Sequence, residues 1–315
     1  MINYNELKLK PKDFLSATGM MVEEFERILP EFSRSYNTKY AGEVTVEGTS
    51  RQRRIGGGRK GQLAQMPDKL LFILTYQKTY PLQTMQGLHF DFSQPSANGW
   101  IQRLLPILQA ALANLGMKPE RDGQALADSP WFDELAADLL IDGTERRRQR
   151  PQDDQTQSDH YSGKKKTHTD KNLLISHAQS RQVLYLSPTV AGSQHDKKLA
   201  DQQALVYPAG ATLAKDTGFQ GYEPTGVVTY QPKKKPKGKD LAYEDRFLNH
   251  LIAGFRIQVE HAISGVKRCR IVKDTFRNLK NDLSDRVMEV ACGLHNLRIA
   301  CRNPQPSLKL LAFPI

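Results

Sequence analysis

Cysteine is scarce in this sequence: Cys269, Cys292 and Cys301 are the three in 315 residues. They form neither a CxxC pair nor a disulfide framework, which excludes a disulfide-stapled fold and fits thiols in a reducing compartment. Long apolar runs are missing as well. The longest, such as LLFILTY at 70–76, fall far short of the roughly 20 residues a bilayer-spanning helix needs. The polar, charged start MINYNELKLKPKDF has no signal-peptide pattern. These absences predict a soluble, cytoplasmic protein with no membrane partner.

Acid is also in short supply. Against 45 Lys and Arg stand 34 Asp and Glu, a net charge of +11. The excess is clustered, as RQRR at 51–54, RRRQR at 146–150, GKKK at 163–166 and KKKPKGK at 233–239. Clustered cations suit a polyphosphate partner, because each neutralised phosphate releases condensed counterions. Solvated loops or an anionic membrane surface are the other readings of such runs.

What is present has an order. Residues 1–45 read as short amphipathic helices, with Met21, Phe25, Ile28 and Leu29 at helical spacing and Pro30 as a break. Residues 41–66 are Gly-rich and basic, as a joint would be. PDKLLFILTYQKTY, PLQTMQGLHF and SQPSANGWIQRLLPILQAALANLG then predict three helices, the last capped by Ser93 and striped by Leu104, Leu108 and Leu112. A helix, a short helix, a tight turn and a longer helix over about 66–116 is the cadence of a helix-turn-helix. It is also the commonest small helical unit of any function.

Beyond Pro130 the pattern changes to short β-like runs at 138–143, 172–178, 182–190, 211–216 and 226–230, with a helix-like QHDKKLADQQALV between the third and fourth. No internal repeat is visible. Three strands, a helix, two more strands and then helices predict an α/β fold: a mixed five-stranded sheet flanked by helices, its first three strands an antiparallel meander. The predicted division is residues 1–128, helical, and 129–315, α/β.

Two aspartates end short apolar strands and are followed closely by glycine: Asp142 in LLIDG and Asp216 in TLAKDTG. Each alone reads first as a turn former, but two of them in a strongly basic chain point toward carboxylates placed at a cleft, where a few acids hold hard cations for phosphodiester chemistry. A third acid, Glu260, lies in a cationic helix whose apolar stripe is Ile252, Phe255, Val259, Ile263 and Val266. Arg256, Glu260, Ser264 and Lys267 share the adjoining face, so Glu260 either reaches a cleft or pairs with Arg256 one turn away. Tyr161, Ser162 and Lys164, Lys165 and Lys166 precede the second strand and suggest a DNA-backbone contact. The Lys run with Lys233, Lys234 and Lys235, interrupted by proline, suits an extended phosphate-tracking loop, and Arg146 and Arg147 belong to a third cationic block. His195 and Asp196 read as a turn and helix cap. His261 reads as space-filling, and Tyr222 and Trp100 as packing residues.

The succession LLIDGTERRRQRP, YSGKKKTHTDKNLLI, GSQHD, DTGFQGY and R-x3-E-x6-K resembles the catalytic region of bacterial insertion-sequence transposases of the DDE superfamily, over roughly residues 135–300. The resemblance implies a ribonuclease-H-like fold, similar also to Harbinger-type nucleases, preceded by a helix-turn-helix DNA-binding region. It implies Asp142, Asp216 and Glu260 as the catalytic, metal-binding triad, with Mg²⁺ or Mn²⁺, two ions, as cofactor. Arg256 and Lys267 match the signature's Arg and Lys and would brace phosphate oxygens. Ala253 stands where many relatives carry tyrosine three residues before that Arg. The implied activity is hydrolysis at transposon ends followed by attack of the freed 3′-hydroxyl on target DNA. The implied partners are the double-stranded terminal inverted repeats and target DNA, with a homodimer on synapsis and association with the nucleoid. A domesticated DNA-binding protein and a general metal-dependent nuclease on the same fold are the alternative functions.

Overall fold

The structure is a computed structural model; residues 2–40, 49, 62–129, 132, 138–278 and 281–302 are described. Of the expected Gly-rich joint, the RQRRIGGGRKG stretch lies outside the described residues. The described residues divide into two compact units, one running to Lys118 and including Arg268–Ile271, the other comprising Pro119–Lys267 and the described residues from Val272 to Arg302.

The first unit is helical: α1 (Tyr4–Leu7), α2 (Pro11–Thr18), α3 (Val22–Tyr40), α4 (Met66–Thr79), α5 (Gln83–Phe90) and α6 (Gln94–Asn114). Pro30 does not break α3 as expected. It costs the backbone bond its missing N–H would make to the preceding turn, but Phe25, Ile28 and Phe32 bury one face on both sides of it. Every residue from Lys69 to Gln77 of α4 is buried, so this helix is the centre of the unit. Left-handed Tyr80 and Asp91 end α4 and α5. Ser93 caps α6 by accepting from the Ser96 N–H at 3.4 Å, and Leu104, Leu108 and Leu112 are buried as the spacing predicts.

The second unit contains β1 (Asp138–Arg147), α7 (Asp154–His160), β2 (Tyr161–Ser162), β3 (Thr167–His177), β4 (Val183–Leu186), β5 (Val190–Ala191), α8 (Asp196–Gln202), β6 (Thr212–Ala214), β7 (Val228–Tyr230), α9 (Tyr243–Val266), α10 (Arg270–Lys273, which straddles the division) and α11 (Asn281–Arg302). β1, β3 and β4 pair antiparallel, and β6 and β7 continue from β1 in parallel. That is the expected succession. Seven strands rather than five appear among the described residues. The expected third strand is split around Pro188, which has no N–H to give a ladder, and the two-residue β2 adds a hairpin.

Alternation along β1 sorts its side chains. Leu139 and Ile141 join Leu173, Ile175, Leu184, Leu199, Leu213, Phe219 and Tyr222 in a core on the α8 side. The opposite face, carrying Asp142, Thr144 and Arg146, meets α9 and α11. α11 seals β4: Asn296 accepts from Val183 N at 2.9 Å and donates to Val183 O at 2.8 Å. In α9, Val259, Ala262 and Val266 are buried, whereas Phe255, expected in the buried stripe, is 39% exposed. The same stripe runs on through Leu251 and Phe247 into solvent, because the first turns of α9 extend past the surface that buries the rest.

Lys215, between the end of β6 and Asp216, is completely buried. Its ammonium donates to Glu223 Oε1 at 2.6 Å and to the Tyr222 carbonyl, tying down the loop that follows Asp216. Lys215→Ala is therefore expected to lower stability by about 2–4 kcal/mol through the cavity and the unsatisfied carbonyl. Lys215→Met, which keeps the volume, should recover part of the loss in urea unfolding.

Candidate active site

The parallel pairing of β1 with β6 ends at the register Leu140↔Ala214. Asp142 and Asp216 each lie two residues further on. By strand alternation they fall on one face, at matching positions just past the point where the parallel β1–β6 pairing ends, the side on which open α/β sheets bind ligands. Asp142 is not at a strand tip, as expected, because β1 continues to Arg147 against β3, opposite Leu174. It is the loss of the β6 neighbour that opens its surroundings.

Asp142 is half-buried, and its acidity is displaced from an ordinary 3.8 to about 6. Burial is the largest cause, and the charges of Asp196 and Asp216 add to it, against the opposing Arg256 charge and the Gly143 N–H. Asp216 uses Oδ1 to accept from the Thr217 N–H at 2.6 Å, while Oδ2 stands 3.6 Å from Arg256 Nη2. The first turn after Asp216 and the guanidinium from α9 thus hold the second carboxylate in place.

α9 crosses β1 and β6. Arg256 reaches Asp216, and three turns later Lys267 Nζ donates to the Glu145 carbonyl at 3.3 Å. The Lys267 ammonium is driven to lose its proton more readily than usual, first by burial and then by the charges of Lys165 and Arg146, with Asp142 and Glu145 opposing. Glu260, between these two cations on the same helix face, is exposed. Among the described residues no three His, Cys, Asp or Glu side chains stand together closely enough to hold one ion. Asp142 and Asp216 are near enough for the charge of one to act on the other, and Glu260 is on the adjoining helix, exposed. His261 is exposed too.

The expected DNA contacts divide. Arg146 is a correction: it is buried, with Nη1 donating to Ser284 O at 2.9 Å and Nη2 to Asn172 Oδ1 at 2.7 Å and Thr189 Oγ1 at 3.0 Å. It shares the face of buried Leu140, and its charge is spent inside. Arg147 is exposed. Lys164, Lys165 and Lys166 are exposed on the turn joining β2 to β3, fixed by Lys165 N donating to Ser162 Oγ at 3.1 Å and by left-handed Lys166. Lys233, Lys234 and Lys235 are exposed; Lys233 pairs with Asp245 and Lys235 with Asp240 at 2.6 Å.

The expected turn and cap at His195 and Asp196 is present, with His195 as the N-cap of α8, but Asp196 does more than cap. It lies in the first turn of α8 and pairs with Lys171 at 3.0 Å. The available signal was a glycine after each candidate aspartate, Gly143 and Gly218, neither at positive φ.

Hard carboxylate oxygens, and a half-buried Asp142 whose ionisation is opposed by two neighbouring acids, fit a divalent cation.

Residues 141–296 match the family model described as DDE superfamily endonuclease. The chain is 25% identical over 287 residues to a probable transposase for insertion sequence element IS702 of Microchaete diplosiphon, covering 91% of this chain and 98% of that protein. A solved piggyBac transposase synaptic complex with hairpin DNA aligns over 95% of this chain and 75% of the other, at TM-score 0.38 and 9% identity. The matched stretch opens one residue before Asp142 and takes in Asp216 and the whole of α9, and the chain belongs to the DDE endonuclease superfamily.

Proposed function

We propose that this protein is the DNA transposase of an insertion sequence, cutting phosphodiesters at the element's ends and joining the freed 3′-hydroxyl to target DNA. The observation that carries this reading is the matched placement of Asp142 and Asp216 past the paired ends of β1 and β6, beneath the helix that bears Glu260. The second unit is read as a ribonuclease-H-like domain, and helices α4–α6 as a helix-turn-helix that holds the terminal repeats. Synapsis of two ends calls for two copies.

Asp142, Asp216 and Glu260 are the residues that would hold Mg²⁺ or Mn²⁺, two ions. When bound, such ions activate the attacking oxygen and stabilise the leaving one. Asp142 must be ionised to serve, so cation affinity should fall as the pH drops below about 6. Arg256 keeps Asp216 oriented, and on binding DNA its guanidinium can transfer to a phosphate oxygen. Lys267, Lys165 and the turn Lys164–Lys166 make a cationic rim for the backbone, which Arg147 and Lys233–Lys235 extend.

Incubation of the purified protein with Mg²⁺ and duplexes carrying the inverted repeats that flank its own gene should give cleavage confined to those ends. Cleavage independent of sequence would favour the general nuclease instead, and no cleavage of any duplex would favour the domesticated binder. The rim has its own test. Replacing Lys164, Lys165 and Lys166 by glutamine should weaken binding to all duplexes and lower the slope of log affinity against log salt by about 2–3. An unchanged slope would place these lysines away from the backbone.

A further inference from the structure

The structure assigns Asp196 a positioning role: its carboxylate is a spacer that holds the strand end carrying Asp142 at a fixed distance from the loop carrying Asp216. This inference rests on the reading of those two aspartates as the reactive pair. Asp196 comes from α8, on the sheet face opposite to Asp142. Each of its oxygens is seated over one glycine. A Cβ placed on Gly143 would stand 2.5 Å from Asp196 Oδ1, and one placed on Gly218 would stand 3.0 Å from Oδ2. The first is closer than side chains pack and the second is tight, so a side chain at either position would displace the carboxylate. Neither glycine has positive φ. The backbone conformation therefore does not demand glycine there; the seated carboxylate favours it, most strongly at Gly143.

These glycines follow the two aspartates directly, as Asp142–Gly143 and Asp216–Thr217–Gly218. One carboxylate thus touches both segments whose separation decides whether the two acids can share a ligand. Asp196 is itself anchored. Lys171 Nζ lies 3.0 Å from its Oδ1, donates to the Gln194 carbonyl at 2.6 Å, and stands 3.7 Å from Glu145 Oε1. Oδ1 is shut off from solvent and lacks a hydrogen-bond partner, so the Lys171 contact is an ion pair rather than an aligned bond. A half-buried group seated on two glycines and engaged by a lysine is suited to setting the geometry of the reactive pair.

The test compares wild type with Asp196→Asn, which removes the Lys171 ion pair that anchors the spacer, and Gly218→Ala, which keeps the carboxylate and pushes on it. Mn²⁺ binding to the DNA-free full-length chain is read by electron paramagnetic resonance, and cleavage kinetics on end DNA by kcat and KM. Asp142→Asn is the reference. The positioning role predicts that both variants weaken Mn²⁺ binding and lower kcat by about 10–100-fold, with KM for DNA and melting temperature close to wild type. Wild-type Mn²⁺ affinity and kcat in Asp196→Asn would overturn it. Loss in Asp142→Asn without loss in Asp196→Asn overturns the role of Asp196 alone, and unchanged binding in both overturns the site as well. If Asp196→Asn does not fold, Gly218→Ala decides by the same two readouts.

Discussion

Asp142→Asn is expected to reduce cleavage by about 10³-fold or more and, at the same time, to make the metal-free protein more stable. The two effects have one cause. Burial and the charges of Asp196 and Asp216 oppose ionisation of Asp142, holding its pKa near 6 against an ordinary 3.8. An acid whose pKa is raised on folding binds its proton more tightly in the native state, so stability declines as the pH rises from about 4 to about 6. Above pH 6 the full cost of the charged carboxylate is carried. A displacement of this size corresponds to roughly 2–3 kcal/mol. The amide has no charge to bury, so Asp142→Asn should exceed wild type by about that much in urea unfolding at pH 7–8 with chelator. The gap should close as the pH falls to 4. Adding Mn²⁺ should narrow it from the other side, because only the wild-type protein gains from binding the cation. An asparagine variant less stable than wild type at pH 8 would show that Asp142 is structural.

Asp170 should behave in the opposite way. It is almost fully buried, which alone would raise its pKa, yet hydrogen bonds from His160 and Ser284 and the charges of Arg146 and Arg148 bring it down to about 2. Ser284 Oγ donates to Oδ2 at 2.6 Å and Arg148 Nη1 to Oδ1 at 2.9 Å. Asp170→Ala leaves Arg146 buried and Arg148 half-buried without this carboxylate, for an expected loss of about 3–5 kcal/mol at pH 7. A depressed acid contributes above its unfolded pKa, so in wild type this stabilisation is complete above about pH 4 and disappears as the pH falls toward 2. Urea unfolding at pH 7 and an acid-unfolding profile check both statements. A loss below 1 kcal/mol at pH 7 would mean that the arginines find other partners.

The contrast between these acids marks what sequence could and could not supply. The β runs, the helix between the third and fourth, and the order of parallel and antiparallel strands were legible because apolar periodicity and strand spacing are local properties. The places of Asp142 and Asp216 were legible for the same reason, although β1 runs on beyond Asp142, since pairing with a distant β3 decides where a strand stops. Arg146 was misread because a run of cations looks solvated. Its position four residues beyond Asp142 and two beyond Thr144 carried the clue: Leu140, Asp142, Thr144 and Arg146 share one face by period two. In α9 the apolar stripe is continuous, but where burial ends depends on the extent of the surface beneath it, and Phe255 is left partly exposed. Asp196 was hidden for a third reason. Its partners are two glycines and a lysine from other elements, and a glycine required by a neighbour's bulk looks in sequence like any turn glycine.

The central claim is that Glu260, now in solvent, completes a metal site with Asp142 and Asp216. Crystals of the protein with end DNA and Mn²⁺, measured for anomalous scattering, test it most directly. The account predicts manganese peaks within about 2.6 Å of carboxylate oxygens from Asp142, Asp216 and Glu260, with the Glu260 side chain turned inward from α9. Manganese bound by other residues, or bound with Glu260 still pointing to solvent, would contradict it.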